Sequence, residues 1–112
     1  MRKLISFWRP CLVLTACTGL CLAQDYRARV QGNVLDQTQA AVTGAKVTLT
    51  NQNTGVELSR LTDSSGRFLF DYVAPGTYTI RMEMAGFSPF SQENITVLTR
   101  GDVTVNGTLS VG

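Results

Sequence analysis

Residues 63–80 read DSSGRFLFDYVAPGTYTI and carry two turn signals, each followed by a strand signal. Ser65-Gly66 and Pro75-Gly76 are dipeptides typical of tight turns. Glycine tolerates unusual backbone angles, and a proline before it has its own φ fixed by its ring. Aromatic and β-branched residues fill the runs after each of them, as they do in strands. The stretch therefore predicts two short strands of a small β-rich domain.

Side chains alternate within residues 67–73 of this stretch. Successive side chains of a strand point to opposite faces. The pattern therefore predicts one face with three aromatic rings, Phe68, Phe70 and Tyr72. The opposite face would carry the intervening residues, Leu69, Asp71 and Val73.

Similar signals recur on both sides of this stretch. Seven strands are predicted, over residues 26–34, 46–50, 56–61, 67–73, 76–84, part of 90–98, and 103–111. The runs show no helical periodicity, and clusters of turn-forming residues separate them. Seven short strands with frequent turns favour an all-β sandwich around one modest core.

The N-terminal segment has the features of an export signal. A basic region containing Arg2, Lys3 and Arg9 precedes and borders an apolar run over residues 11–22, which is too short to cross a bilayer as a helix. Small residues close the run, so cleavage is predicted after Ala23, with Gln24 as the first residue of the domain.

Two alternatives to cleavage after Ala23 stay open. The segment could remain as an anchor or a buried strand, or the sequence Leu14-Thr15-Ala16-Cys17 could be a lipoprotein signal in which Cys17 is lipidated. The apolar run continues past Cys17, and little hydrophobic sequence precedes that residue. Both features favour cleavage after Ala23.

Cleavage would change the charge and the cysteine content. The whole chain has 10 basic and 8 acidic residues. Removing three basic residues leaves seven against eight, a net charge of 7 − 8 = −1. A domain with this charge has no basic field for a nucleic acid. The leader also holds all three cysteines, Cys11, Cys17 and Cys21, so residues 24–112 can form no disulfide and no cysteine metal site.

Four motifs in this order resemble the carboxypeptidase regulatory-like family: Val30-x-Gly32-x-Val34-x-Asp36, Ala41-Val42-x-Gly44-Ala45-x-Val47-x-Leu49, Thr62-Asp63-x-x-Gly66-x-Phe68-x-Phe70-x-x-Val73-x-Pro75-Gly76-x-Tyr78, and Ala85-Gly86-Phe87. The resemblance covers nearly all of residues 24–112. It implies a seven-stranded Greek-key β-sandwich of the prealbumin-like or Ig-like kind. The motif residues have structural roles, so the resemblance reports a fold and not a site.

The resemblance also implies a cellular context. In bacteria such modules often stand at the N-terminus of TonB-dependent outer-membrane receptors, after a signal peptide. This implies a leader over residues 1–23, one domain over residues 24–112 without a transmembrane segment, and a periplasmic or outer-membrane location in a Gram-negative-type bacterium. No plug, barrel or TonB-box-like segment follows Gly112. We therefore expect a free-standing copy or a fragment of a longer receptor.

Catalytic chemistry finds little support in the residues. The sequence has no histidine, which zinc enzymes and serine or cysteine nucleophile systems normally require. We therefore expect a non-enzymatic domain with no catalytic residue, cofactor or metal. Asp71 and Glu83, on strands expected to be neighbours, could form a glycosidase pair, but a solvated sheet face explains them better.

An isopeptide crosslink, as in related pilus domains, is a further possibility that the residues disfavour. It would need a lysine on the first strand, near Asp71 and Asn106. The basic residues of the first strand are arginines, which cannot act as nucleophiles. Lys46 lies on the second strand.

Three functions remain open. The first is an interaction module for an outer-membrane or periplasmic protein, which could bind a partner strand at a sheet edge. The second is a carbohydrate-binding module resembling starch-binding sandwiches, with Phe87 and Phe90, and less strongly Tyr26 and Tyr72, stacking on sugar rings of a polysaccharide. The third is a structural spacer without a ligand.

Overall fold

The computed structural model describes residues 27–112, which form nine strands. The strands are β1 (Ala28–Asp36), β2 (Lys46–Asn51), β3 (Glu57–Leu61), β4 (Arg67–Val73), β5 (Gly76–Glu83), β6 (Phe87–Ser88), β7 (Phe90–Val97), β8 (Asp102–Thr104) and β9 (Gly107–Val111). No residue in this range is helical.

The strands form two sheets, and the predicted all-β sandwich is confirmed. One sheet has the order β4-β1-β9-β6, and β8 also pairs with β1; the other has the order β3-β2-β5-β7. Strand β1 is antiparallel to β4 and parallel to β8 and β9. The chain passes from one sheet to the other after β1, β3, β4, β5, β6 and β7, so each sheet mixes strands that are distant in sequence.

The predicted seventh strand corresponds to two strands in one register. Each residue of β1 that pairs with β8 or β9 lies opposite the residue 73 positions later in the sequence. Asn33 and Asn106, at the break between β8 and β9, have the same separation of 73 residues. At the break the Asn106 side-chain oxygen accepts a hydrogen bond from the Asn33 backbone N–H at 3.0 Å. A side chain thus replaces a backbone carbonyl in the ladder. The other additional strand, β6, contains only two residues.

The core lies between the sheets and draws on strands from both. Its largest fully buried side chains are Phe70, Leu49, Ile80, Met82 and Leu109, together with five valines, Val30, Val34, Val47, Val73 and Val97. In the second and sixth of the predicted strands, the apolar residues Val47, Leu49, Ile95 and Val97 are all buried.

The predicted faces of β4 are wrong at their last two positions. Val73 is 1% exposed and belongs to the core, whereas Tyr72 is 71% exposed. Ala28 of β1 lies opposite Val73 and Val30 lies opposite Phe70, so two residues of β4 face one residue of β1. This is a β-bulge, which reverses the alternation of side chains beyond it.

Thr62 is the buried polar residue of the core, and it is fully satisfied. Its hydroxyl donates to the Val42 carbonyl at 2.6 Å and accepts from the Ala45 N–H at 2.9 Å. Its backbone N–H donates to the Ala45 carbonyl at 3.0 Å. Thr62 therefore fastens the end of β3 to the loop before β2, and its hydroxyl avoids the cost of burial without partners.

Two exposed carboxylates hold loops and should make stability depend on pH. Hydrogen bonds lower the pKa of both carboxyls below 3.8: the Thr38 side chain and the Ala40 N–H act on Asp36, and the Arg67 and Ser65 N–H groups act on Asp63. A lowered folded-state pKa contributes stability above the unfolded pKa, and this contribution disappears as the pH falls through the folded value.

We therefore expect the urea midpoint of unfolding to decrease as the pH falls from about 4 toward 2. Paired substitution of Asp36→Asn and Asp63→Asn keeps an oxygen acceptor at each loop but removes the titrating groups. This variant should lose less stability over that interval. Equal acid slopes for the variant and the unchanged protein would contradict the prediction.

Candidate functional site

The structure places the predicted sugar-stacking residues Phe87 and Phe90 against the core. Both rings are half-buried and pack on core residues. Phe87 lies on β6 opposite Val111, and Phe90 begins β7 opposite Met82. Rings held in this way offer less free surface than an exposed platform, and their binding role stays a prediction. Tyr26, Ala23, Gln24 and Cys17 lie outside the described residues.

The structure separates the residues considered for catalysis and crosslinking. Asp71 is on β4 and Glu83 on β5, which belong to different sheets, so the expected neighbouring strands were wrong. Lys46 is in the second sheet, whereas Asp71 and Asn106 belong to the first, on opposite sides of β1. Within residues 27–112 no group of three or more His, Cys, Asp or Glu side chains could hold a metal ion.

An open groove lies at the end of the sandwich where β1 begins. The β2–β3 loop forms one side and the corner between β4 and β5 forms the other; we call it the Tyr72 groove. It has a volume of about 380 Å³, and its lining includes Asn51, Thr54, Val56, Leu58, Tyr72, Ala74 and Tyr78. The lining combines apolar surface with amide and hydroxyl groups and one charged residue, Arg27, and small-molecule sites have a similar mixture.

Tyr72 reaches the groove because of the bulge in β4. Its φ is 57°, and the Asp71 carboxylate accepts a hydrogen bond from its backbone N–H at 3.1 Å. A positive φ is unusual for a bulky residue. Among residues 27–112, Tyr72 is the exposed aromatic side chain, and the exposed Val56 lies on the same groove.

The β2–β3 loop is fixed by hydrogen bonds that two side-chain oxygens accept from backbone N–H groups. The Asn51 side-chain oxygen accepts from the Asn53 N–H at 2.8 Å and the Thr54 N–H at 3.1 Å. The Gln52 side-chain oxygen accepts from the Asn94 N–H of β7 at 2.9 Å. These bonds hold one wall of the groove in place before any ligand arrives.

The opposite wall rests on Tyr78, whose hydroxyl donates to the Ala74 carbonyl at 2.7 Å. This bond resembles the tyrosine corner of β-sandwiches, in which a ring is buried and its hydroxyl holds a nearby turn. The Tyr78 ring is buried, so the residue contributes to the core as well as to the turn.

We expect Tyr78→Phe to lower the free energy of unfolding by about 1 kcal/mol, because it removes this hydrogen bond and keeps the ring. Thermal unfolding should shift down by roughly 4–8 °C for a domain of this size. Tyr72→Phe is the matched control, since its hydroxyl lies on an exposed side chain. An equal shift in both variants would contradict the assignment.

The sequence signals did not reveal that Tyr72 and the β2–β3 loop meet. The sequence marks the loop as a turn cluster and Tyr72 as a weaker sugar-stacking candidate, but period-two alternation puts that ring on the same face as Phe68 and Phe70. The bulge depends on how β1 pairs with β4 over a long sequence separation. Local alternation carries no information about that pairing.

Among residues 27–112 there is no helix with the length and apolar character needed to cross a membrane.

The fold occurs in solved structures of several kinds. A Bacteroides uniformis protein that is provisionally described as carbohydrate-binding is 22% identical, with a TM-score of 0.59 over 74% of this chain and 41% of that one. A chain of a type II cohesin–X-dockerin complex from Acetivibrio cellulolyticus is 24% identical, with a TM-score of 0.58 over 76% of this chain and 58% of that one. Catechol 1,2-dioxygenase from Acinetobacter is 10% identical, with a TM-score of 0.62 over 78% of this chain and 53% of that one.

These likenesses establish the fold alone, and this chain spans less than two thirds of each of those structures. A search of curated proteins gave no match. The family model of the carboxypeptidase regulatory-like domain matches residues 29–110, which cover all nine strands apart from single end residues. The chain therefore belongs to the carboxypeptidase regulatory-like domain family.

Proposed function

We propose that this domain is a non-catalytic binding module of an exported protein, and that it holds a polysaccharide. The observation that carries the proposal is the exposed Tyr72 ring on an open groove with uncharged polar atoms. An aromatic ring offers an apolar face to the C–H side of a sugar, while side-chain amides and hydroxyls bind sugar hydroxyls. The structural neighbour from Bacteroides that is described as carbohydrate-binding also supports a saccharide ligand.

The sheet edges favour this function over the addition of a partner strand. In β3 the Arg60 guanidinium donates to the Ser59 carbonyl at 2.8 Å, which occupies an acceptor on an edge strand. Among the other edge strands, β4 and β7 carry bulges, and Asn94 in β7 has a φ of 59°, while β6 and β8 have only two and three residues. Bulges and charged side chains are means by which proteins prevent edge-to-edge pairing.

A glycan array probed with the full chain tests the proposed function. We expect saturable binding to at least one polysaccharide family and an increase in the thermal unfolding temperature in its presence. A folded protein that binds no glycan on the array and shows no thermal shift would overturn the proposal.

The second candidate is a protein-interaction or spacer module within a TonB-dependent outer-membrane receptor. It is favoured by the position of the domain's ends: Ala28 begins β1 beside Val73 at the groove, whereas the Gly112 N–H donates to the Gly86 carbonyl at the other end. A domain with its ends far apart can be placed in line between two segments. Chemical crosslinking in the bacterial envelope would identify a receptor partner, and the absence of any crosslink would oppose this candidate.

The proposed export has its own test. Mass spectrometry of the protein purified from the envelope should give a first residue of Gln24, as cleavage after Ala23 predicts. A lipid attached to Cys17 would show the lipoprotein alternative. An intact Met1 on protein found in the cytoplasm would contradict export.

A further inference from the structure

We infer that the Tyr72 groove is the saccharide site and that Tyr72 is the stacking platform for one pyranose ring. This inference rests on the proposed function and adds its location: the end of the sandwich where β1 begins. Phe87 and Phe90, the aromatic residues that the sequence favours, lie near the opposite end, where β9 finishes beside β6.

The backbone presents the Tyr72 ring at a cost in conformational strain. The bulge makes β4 turn Tyr72 outward and bring Val73 into the core. It also places a bulky residue at a φ of 57°, where glycine or asparagine would be less strained. Bulges commonly redirect a side chain next to a binding site, and backbone strain tends to concentrate at functional positions.

The polar atoms of the groove suit sugar hydroxyls. The Asn51 side-chain oxygen is already used by two backbone N–H groups, so its amide nitrogen remains as the donor on that side. The Tyr78 hydroxyl donates to Ala74 and keeps its capacity to accept. The groove therefore offers at least one donor and one acceptor beside the Tyr72 ring.

The charge and the size of the groove narrow the possible ligands. No carboxylate lines the groove, and Arg27 is its charged lining residue. A cation is therefore a poor ligand, whereas a neutral or an acidic sugar is compatible with this lining. The volume of about 380 Å³ is near the lower end of small-molecule sites, so the groove suits one or two rings of a chain.

An extended peptide fits the groove less well than a sugar. A bound strand needs a continuous row of backbone groups, and the bulge at Asp71 and Tyr72 interrupts the edge of β4. A sugar ring uses the aromatic face and side-chain polar atoms, which the bulge leaves in place. The wall formed by the β2–β3 loop is fixed through Gln52 and Asn94, so little ordering is needed on binding.

The test is an NMR titration of the full chain labelled with ¹⁵N. Three oligosaccharides are added in separate experiments: maltoheptaose, cellohexaose and chitohexaose. We expect one of them to shift the amide signals of Tyr72 and Thr54 and the side-chain amide of Asn51. Tyr72→Asn fits the positive φ and removes the ring, so it should fold and weaken binding at least about tenfold. Tyr72→Phe keeps the ring and should stay within about threefold, since one exposed hydroxyl contributes little.

Leu69→Asn is the matched control, because Leu69 is a partly exposed residue of the same strand away from the groove. It should bind as the unchanged protein does. Glycan binding that survives Tyr72→Asn with shifts at Phe87 or Phe90 would overturn this site and leave the proposed function standing. Binding of no glycan in the array or the titration would overturn both. Groove shifts with a proline-rich peptide alone would assign a peptide ligand and overturn the inference.

Discussion

Gly32→Ala should unfold this domain or destabilise it by at least about 3 kcal/mol, near the upper end for overpacking of a core. A Cβ at position 32 would lie 1.7 Å from the Val105 carbonyl oxygen and 2.6 Å from its carbon. Neither atom is the end of a flexible side chain, so β1 and the segment between β8 and β9 would have to separate. The Val105 N–H donates to the Gln31 carbonyl at 2.8 Å, and this bond would be strained by the same movement.

Urea unfolding of Gly32→Ala, followed by circular dichroism, measures this effect. Gly86→Ala is the matched control: its φ of 88° disfavours alanine, but a Cβ there meets no atom within 4 Å. The control should lose only about 1–2 kcal/mol from the backbone conformation. A loss for Gly32→Ala no larger than for Gly86→Ala would show that the strands adjust, contrary to the close contact seen here.

Phe70→Ala should cost about 3–5 kcal/mol of unfolding free energy, a large part of the stability of a domain of this size. Phe70 is fully buried. Its ring meets Phe68 edge to face, with centroids 5.9 Å apart, and the Arg60 guanidinium lies 5.5 Å from its centroid. The substitution therefore removes a core side chain, a ring contact within β4 and a cation–π contact that links β4 to β3.

Leu69→Ala tests whether burial causes this loss, since Leu69 is the neighbouring residue and is 43% exposed. It should cost less than about 1 kcal/mol in the same urea titration. Comparable losses at the two positions would mean that β4 presents its faces differently from the structure described here.

The alternation of apolar residues predicted most of the fold because it reflects burial directly. Val47 and Leu49 alternate with polar residues in β2, Ile95 and Val97 flank the polar Thr96 in β7, and all four are buried. The turn dipeptides also marked strand ends correctly: Gly66 precedes β4 and has a φ of 74°. These features are local, so the sequence alone shows them.

Features that depend on distant pairing could not be predicted in this way. Tyr72 faces outward because of the register between β1 and β4, and the break between β8 and β9 exists because Asn106 bonds to Asn33 across 73 residues. The candidate site depends on both kinds of information. Its turn residues and the candidate ring of Tyr72 were visible in the sequence, but the bulge that turns this ring outward was not.

The position of β1 bears on when the domain can fold during synthesis. This strand lies inside its sheet, between β4 on one side and β8 and β9 on the other. A nascent chain that has not reached Asp102 has made β1 but lacks the partners for one of its edges. Contacts between such distant segments form slowly, and an unpaired strand edge promotes aggregation meanwhile. Residues 102–111 therefore complete the pairing of β1, and until they are available the chain is in the form most vulnerable to misassembly.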